Sequence, residues 1–157
     1  MSIVPSFAAL AGRWTGVNLL RVSSGEPIRE SAASANVATS AGGRFFTMAY
    51  TWSNGDTPQD GLIVLGHEQN TDAVTAVWVD SWHMGDALMK CEGREGAPGM
   101  VSVRGHYPAP PGPDWGWRIF IDASRPDGTF RMLMYNISPE GHEEWAVEAT
   151  FARIPPT

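Results

Sequence analysis

The chain has 157 residues, of which 43% are hydrophobic and 18% charged, and its formal net charge is −6. This length, within the usual range of about 100–200 residues per domain, predicts a single domain over residues 1–157 with a substantial core. The acidic balance argues against a nucleic-acid partner, because contact with a phosphate backbone requires a basic face. Cys91 is the only cysteine, which excludes an intramolecular disulfide, a four-cysteine zinc site and an iron–sulfur cluster held by this chain's thiolates.

Ala9-Leu10-Ala11 resembles the cleavage site of a secretory signal, but no basic residue precedes Arg13, and the segment is shorter than the usual length of about 15–30 residues. We therefore interpret it as part of the mature protein. No run reaches the roughly 18 uninterrupted apolar residues of a membrane span. We therefore expect a cytoplasmic chain with no role in a membrane.

Runs with alternating polar and apolar residues are separated by turn-forming clusters along the whole chain. The first run follows the only helical candidate, a short turn from Ser6 to Ala11. Asn54-Gly55 and Asp127-Gly128 supply the positive φ angles that hairpin turns require. The pattern predicts about ten strands, near residues 12–22, 29–39, 43–52, 60–68, 73–81, 86–93, 99–107, 116–123, 129–137 and 143–153.

Strands joined by short connections favour an antiparallel up-and-down β-barrel, because closure removes the unpaired sheet edges. We therefore predict an all-β protein that forms one antiparallel barrel of about ten strands. The one long connection, Pro108 to Asp114, is rich in proline and is expected to be stiff and to form a rim or flap.

Alternation along the strands predicts which side chains face the interior. Tyr50 and Trp52 share a face with other large apolar residues, as does Met134, and Trp145 lies opposite two glutamates. A barrel of about eight strands just holds one small ligand, and about ten strands leave more room. We therefore expect a cavity for a small apolar or aromatic molecule inside the barrel.

The segment Trp78-Val79-Asp80-Ser81-Trp82-His83 is the richest in chemical groups. Asp80 shares a strand face with two tryptophans, which suits either a ligand anchor or an acid/base group more than a dry core. A structural ion pair or a turn-forming aspartate at the strand end is the alternative. His83, three residues later, is a second candidate for an acid/base group.

Arg118 follows Trp117 in the eighth run and could point inward to meet an anionic ligand group. The alternative is a pair with an acid on a neighbouring strand. His83 and His106 have no close metal-ligand spacing, although two strands could still bring them together. We expect neither a metal nor a cofactor.

The start of the first run carries a resemblance to a known superfamily. Gly12-Arg13-Trp14, after a short helical turn, resembles the first strand of the calycins, the lipocalin and fatty-acid-binding barrels. In that superfamily a basic residue near the end of the last strand packs over this tryptophan, and Arg153 lies at the matching place. With Gly16 and the segment Trp78 to Ser81, the chain is most similar to a bacterial family of lipocalin-like barrels of unknown function. The resemblance implies structural roles for Gly12, Trp14 and Arg153.

These observations favour a barrel that binds a small apolar or aromatic molecule in its interior, and Arg118 would suit a ligand with an anionic group. The residues expected to line the cavity are Tyr50, Trp52, Trp78, Asp80, His83, Arg118, Met134 and Trp145. Two alternatives stay open: an isomerase-like or lyase-like enzyme that uses Asp80 or His83 as acid/base, and a structural or assembly protein with a filled barrel. Runs that are apolar on both faces, such as Leu62 to Leu65, also predict a homodimer.

Overall fold

A computed structural model describes residues 7–156 and contains ten β-strands in that range. Their bounds differ from the predicted ones by a few residues at most. The strands are β1 (Gly12–Leu20), β2 (Arg29–Ser40), β3 (Phe45–Asn54), β4 (Thr57–Glu68), β5 (Ala73–Asp80), β6 (Met89–Glu95), β7 (Met100–Tyr107), β8 (Trp115–Asp122), β9 (Phe130–Ile137) and β10 (Glu143–Arg153).

The strands form one closed antiparallel barrel in which each strand pairs with its neighbours in sequence and β1 pairs with β10. This confirms the predicted fold class. A helical turn precedes β1 at residues 7–10, and the predicted start of that turn, Ser6, lies outside the described residues. Among the described residues, none lies in a helix long and apolar enough to cross a membrane.

Alternation of side chains along the strands fills the barrel with large apolar groups. On β3, for example, Phe46, Met48, Tyr50 and Trp52 are all at most 4% exposed, whereas their neighbours face outward. On β9 the inward residues include Met134, which is 1% exposed. The predicted inward faces of β3 and β9 are therefore correct.

One end of the barrel, here called the base, is closed by the helical turn. The Trp14 indole donates a hydrogen bond to the Leu10 carbonyl, and the Arg153 guanidinium lies 4.4 Å from the centroid of the Trp14 ring. Arg153 also donates hydrogen bonds to the carbonyls of Ala9 and Ala11, so it ties the last strand to the turn.

The glycines of the first strand are needed for this closure. A Cβ at Gly12 would lie 2.8 Å from Nη1 of Arg153, and φ at Gly12 is +139°. A Cβ at Gly16 would lie 1.8 Å from the carbonyl oxygen of Thr150 on β10. The two strands can approach this closely only where a side chain is absent.

The opposite end, here called the mouth, carries the connections that follow the odd-numbered strands, because neighbouring strands run in opposite directions. These connections are residues 21–28, 55–56, 81–88, 108–114 and 138–142. The proline-rich segment predicted to form a rim is therefore one of the mouth connections.

Candidate functional site

Asp80 is the last residue of β5 and is 2% exposed. Its Oδ1 accepts hydrogen bonds from the backbone N–H groups of Trp82 and His83, both at 2.9 Å. Its Oδ2 accepts one from the Tyr50 hydroxyl at 2.7 Å and one from the Trp52 indole at 3.2 Å. The carboxylate thus shapes the turn after β5 and also holds two side chains of β3.

A chain of hydrogen bonds links this carboxylate to the Trp78 ring. The Trp78 indole donates to the Tyr50 hydroxyl at 2.8 Å, and that hydroxyl donates to Asp80. Burial, together with the adjacent negative charge of Asp80, raises the pKa of Tyr50 well above its usual value. Tyr50 therefore stays protonated as a donor to Asp80.

The His83 side chain lies among four tryptophan rings, here called the tryptophan box. Its ring centroid is 4.7–5.7 Å from those of the box members, Trp52, Trp78, Trp82 and Trp117. Burial lowers the pKa of His83, and the nearby Asp80 opposes this change. The imidazole is therefore neutral at pH 7.

A cavity of about 450 Å³ opens at the mouth above His83. This volume is in the range of small-molecule sites, about 300–1,000 Å³, and its wall is mostly apolar and aromatic. The Trp117 indole N–H in this wall is buried and has no hydrogen-bond partner within residues 7–156. The residues that line this mouth cavity are Trp78, Trp82, His83, Met84, Ala87, Met89, Tyr107, Pro108 and Trp117.

Deeper in the barrel, beside Asp80, the remaining space is only about 10 Å³. A void of that size holds about one water molecule. Its lining includes Asn18, Tyr50, Trp52 and Met134, whose side chains occupy the space that was expected to hold a ligand. The expectation of a cavity deep inside the barrel is therefore wrong in its location, since the usable space lies at the mouth. His83 lines both spaces.

Arg118 does not point inward. Its guanidinium forms two hydrogen bonds with the Glu143 carboxylate, at 2.8 and 3.2 Å, and a third with the Ser102 hydroxyl at 2.9 Å. These contacts join β7, β8 and β10 on the outer wall, and the Arg118 hydrogen bond lowers the pKa of Glu143. The residues of β8 that point inward are Trp117, Ile119 and Ile121. The prediction that Arg118 points inward is therefore wrong: its neighbour Trp117 does.

Trp145 also lies outside the cavity. A β-bulge between Trp145 and Val147 shifts the register of β10. Trp145 therefore pairs with Tyr135 on the outer wall, and Val147 takes the inward position opposite Met134. The Arg21 guanidinium covers the Trp145 ring at 4.7 Å.

Several lining residues were not found from the sequence. Trp117 could have been found from its shared alternation with Ile119 and Ile121. Met84 lies in a turn, and Tyr107 and Pro108 flank the start of the long connection, where alternation carries no information about orientation. Asn18 is a buried polar residue on β1. It shares the alternation of Trp14, from which its inward orientation could have been predicted.

Other places on the molecule are less suited to a ligand. Two depressions of about 590 and 490 Å³ lie on the outer wall, where solvent-facing groups such as Lys90 and Arg104 border the second. His106 also lies on that outer wall, away from His83. Within residues 7–156 no group of three or more His, Cys, Asp or Glu side chains is placed to hold a metal ion.

Comparison with models of protein families identifies a family for this chain. The family model described as a protein of unknown function, DUF1579, matches residues 5–153. The chain belongs to this family. Among curated proteins, none matches the chain.

Solved structures show that the fold of this DUF1579 protein recurs at low sequence identity. Rv2717c from M. tuberculosis is 13% identical, with a TM-score of 0.62 over 96% of this chain and 98% of that one. The S-type phycobiliprotein lyase CPES from Guillardia theta is 10% identical, with a TM-score of 0.66 over 100% of this chain and 95% of that one. At these identities the similarity establishes the barrel fold alone.

Proposed function

We propose that this barrel binds a small, largely apolar or aromatic molecule in the mouth cavity. The observation that carries the proposal is the mouth cavity itself, about 450 Å³ in volume and walled by Trp78, Trp82 and Trp117. Large aromatic walls supply most of the binding energy of such sites, and a few polar groups orient the ligand. Here the polar groups are His83, the Tyr107 hydroxyl and the unpaired Trp117 N–H.

The filled interior supports binding at the mouth over binding within the barrel. A ligand that entered the barrel would have to displace the side chains around Asp80, which are joined by hydrogen bonds. A purely structural barrel, the alternative with a filled interior, does not require an aromatic cavity above that network. The calycin relationship is part of the same proposal, supported by the contact of Arg153 with Trp14.

A lyase-like or isomerase-like activity is the second candidate. It is favoured by the name of one fold neighbour, a phycobiliprotein lyase, and by a neutral His83 beside the cavity. However, Asp80 binds the backbone N–H of His83, and no hydrogen bond joins the two side chains in the described part of the chain. A general base normally has its imidazole oriented by such a bond, so binding without catalysis is the better-supported function.

The test is a titration with the neutral fluorescent probe N-phenyl-1-naphthylamine. We expect binding at micromolar concentration with quenching of tryptophan emission. Trp82→Ala should weaken binding about fivefold or more, because an aromatic contact contributes about 1 kcal/mol or more. Trp82 is 36% exposed, so its removal should leave the fold intact.

Trp145→Ala is the matched control, since Trp145 lies on the outer wall. It should bind the probe as the wild type does. Absence of binding to the wild type, or equal weakening by both substitutions, would contradict a site at the mouth.

A further inference from the structure

The groups around the mouth cavity create a negative potential. The faces of aromatic rings carry the negative part of a quadrupole and attract cations. Three members of the tryptophan box, Trp78, Trp82 and Trp117, line the mouth cavity, and the fourth, Trp52, lies beside His83. Trp78 and Trp117 stack with their ring centroids 5.5 Å apart, and the four rings surround His83. Aromatic walls attract a quaternary ammonium group.

Asp80 adds a full negative charge directly below the box. The carboxylate accepts four hydrogen bonds from neutral donors. Within residues 7–156 no arginine or lysine forms a salt bridge with it. Buried charges are normally paired, so this site has a carboxylate whose counter-charge is absent from the described protein.

The hydrogen-bond chain carries the effect of that charge to the wall of the cavity. Trp78 donates to Tyr50, and Tyr50 donates to Asp80. Donors in such chains polarise one another, so electron density at the Trp78 ring rises. A more electron-rich ring face attracts a cation more strongly.

The connections at the rim of the mouth also carry a net negative charge. The five mouth connections carry Arg21 as their only arginine or lysine, and the acids are Glu26, Asp56, Asp86, Asp114 and Glu140. Arg29, at the start of β2, pairs with Glu26, and the other four acids still outnumber Arg21. The connections at the base are balanced, with Arg44, Arg125, Asp72 and Asp127. A one-sided charge at a cavity entrance concentrates ligands of opposite sign.

We propose that the mouth cavity selects organic cations, in particular quaternary or aryl ammonium compounds, and rejects anions. This inference rests on the proposed function and specifies its ligand class. It also replaces the expectation of an anionic ligand, because Arg118, the residue meant to bind the anion, is paired with Glu143 on the outer wall.

His83 controls how close a cation comes to Asp80. Its side chain is the only one that lines both the mouth cavity and the small void beside Asp80 among the residues described. Removing the imidazole in His83→Ala joins the two spaces. We expect the preference of this variant for an organic cation over a neutral ligand of the same shape to exceed that of the wild type.

The experiment compares three probes of similar shape at pH 7.5 by calorimetry: phenyltrimethylammonium, tert-butylbenzene and p-toluenesulfonate. The first two differ mainly in charge, so a preference between them reports the electrostatics of the site. We expect the cation to bind about tenfold more tightly than the hydrocarbon and the sulfonate to show no binding.

Two buried aspartates provide matched variants. Asp80 and Asp122 are 2% and 5% exposed, and Asp122 lies at the base. Asp80→Asn should remove most of the preference for the cation. Asp122→Asn should keep that preference. Melting curves verify that both variants fold. Because Asp80→Asn disturbs a network of donors, the comparison of probes on the wild type decides the proposal if that variant does not fold.

The outcomes separate this inference from the proposed function. If tert-butylbenzene binds as tightly as the cation, or the sulfonate binds, selection of cations is overturned while binding of small molecules stands. If none of the three binds, the inference is overturned, and the naphthylamine titration decides the proposed function separately. A preference that persists in folded Asp80→Asn overturns the role of Asp80.

Discussion

At the residue scale, Asp80 combines a structural and an electrostatic role. Its Oδ1 holds the turn that carries Trp82 and His83 to the mouth, and its Oδ2 holds Tyr50 and Trp52. Of the two interpretations of Asp80 drawn from the sequence, the hydrogen bonds show the turn former, whereas a role toward a ligand stays a prediction. The location of Asp80 beneath the cavity depends on the turn.

Tyr50→Phe tests the network around Asp80. The change removes one donor from a buried carboxylate and leaves the Trp78 N–H without its acceptor. Hydrogen bonds to charged groups and unpaired buried donors each count for about 1–3 kcal/mol, so we expect a loss of about 2–4 kcal/mol in the free energy of unfolding. Denaturant titration measures it.

Tyr135→Phe is the control, because Tyr135 faces the outer wall and makes no side-chain hydrogen bond within residues 7–156. It should change stability by less than about 0.5 kcal/mol. Similar losses in the two variants would contradict the network.

His83 predicts a dependence of stability on pH. Burial among the tryptophans lowers its pKa in the folded state, whereas in the unfolded chain it titrates near about 6.5. The neutral imidazole therefore stabilises the fold above about pH 6.5, and this contribution is lost as the pH falls through the lowered pKa. Of the titratable groups that face His83, Tyr50 and Tyr107 stay protonated because burial raises their pKa values, and Asp80 supplies the opposing charge.

The measurement is the free energy of unfolding between pH 7.5 and 5 for the wild type and His83→Phe. The wild type should lose stability more steeply, since phenylalanine has no proton to bind. Parallel curves would show that His83 does not titrate differently in the folded state.

At the element scale, alternation predicted most strands correctly and failed where a strand departs from it. The inward faces of β3 and β9 follow from period two alone. On β10 one extra residue at the bulge reverses the phase, and no residue type in that run marks the bulge. On β8 both faces carry large apolar residues, and the two charged residues, Arg118 and Asp122, share the outward face. The apolar residues alone therefore did not show which face of β8 is inside.

The base of the barrel gives a prediction at this scale. Trp14 is 1% exposed and contacts the ring of Phe130 as well as Arg153. Because a buried tryptophan replaced by alanine loses about 3–5 kcal/mol, Trp14→Ala should strongly lower the melting temperature. Trp145→Ala, on the outer wall, should lower it much less. A melt of Trp14→Ala within two degrees of the wild type, roughly 0.5 kcal/mol for this size, would contradict the closure by Trp14.

At the scale of the whole molecule, the fold was predictable and the cavity only in part. Ten short runs with turn residues between them leave few arrangements other than a barrel, and the structure has that barrel. The volume of free space depends on how side chains pack and how the 81–88 connection folds over the mouth. Neither the packing nor the fold of this connection follows from a repeating sequence pattern. The cavity was therefore predicted inside the barrel, whereas it lies at the mouth.

The outer wall bears on the predicted homodimer. Across β3, β4 and β5, Ala49 pairs with Leu62 and Leu62 with Val79, all facing outward. Leu62 and Phe45 are 38% and 40% exposed on this mainly apolar face, on which Asp60 and Glu68 are the charged residues. A second copy with the same net charge of −6 can approach most easily on a face with few charges.

We therefore expect a dimer by light scattering at high micromolar concentration, and a shift toward monomer in Leu62→Lys. Val17→Lys, the same gain of charge at an exposed apolar residue of β1, should leave the oligomeric state unchanged. A mass of 17.0 kDa for the wild type would rule out the dimer.

The central claim, a ligand site at the mouth, is tested most directly by NMR of the tryptophan side chains. The chain has seven tryptophans, and each gives one indole N–H signal. On titration with N-phenyl-1-naphthylamine, the signals of Trp78, Trp82 and Trp117 should shift together and saturate, whereas those of Trp14 at the base and Trp145 on the outer wall should not move. Shifts confined to Trp14 or Trp145, or no saturable shift at any indole, would contradict a binding site at the mouth.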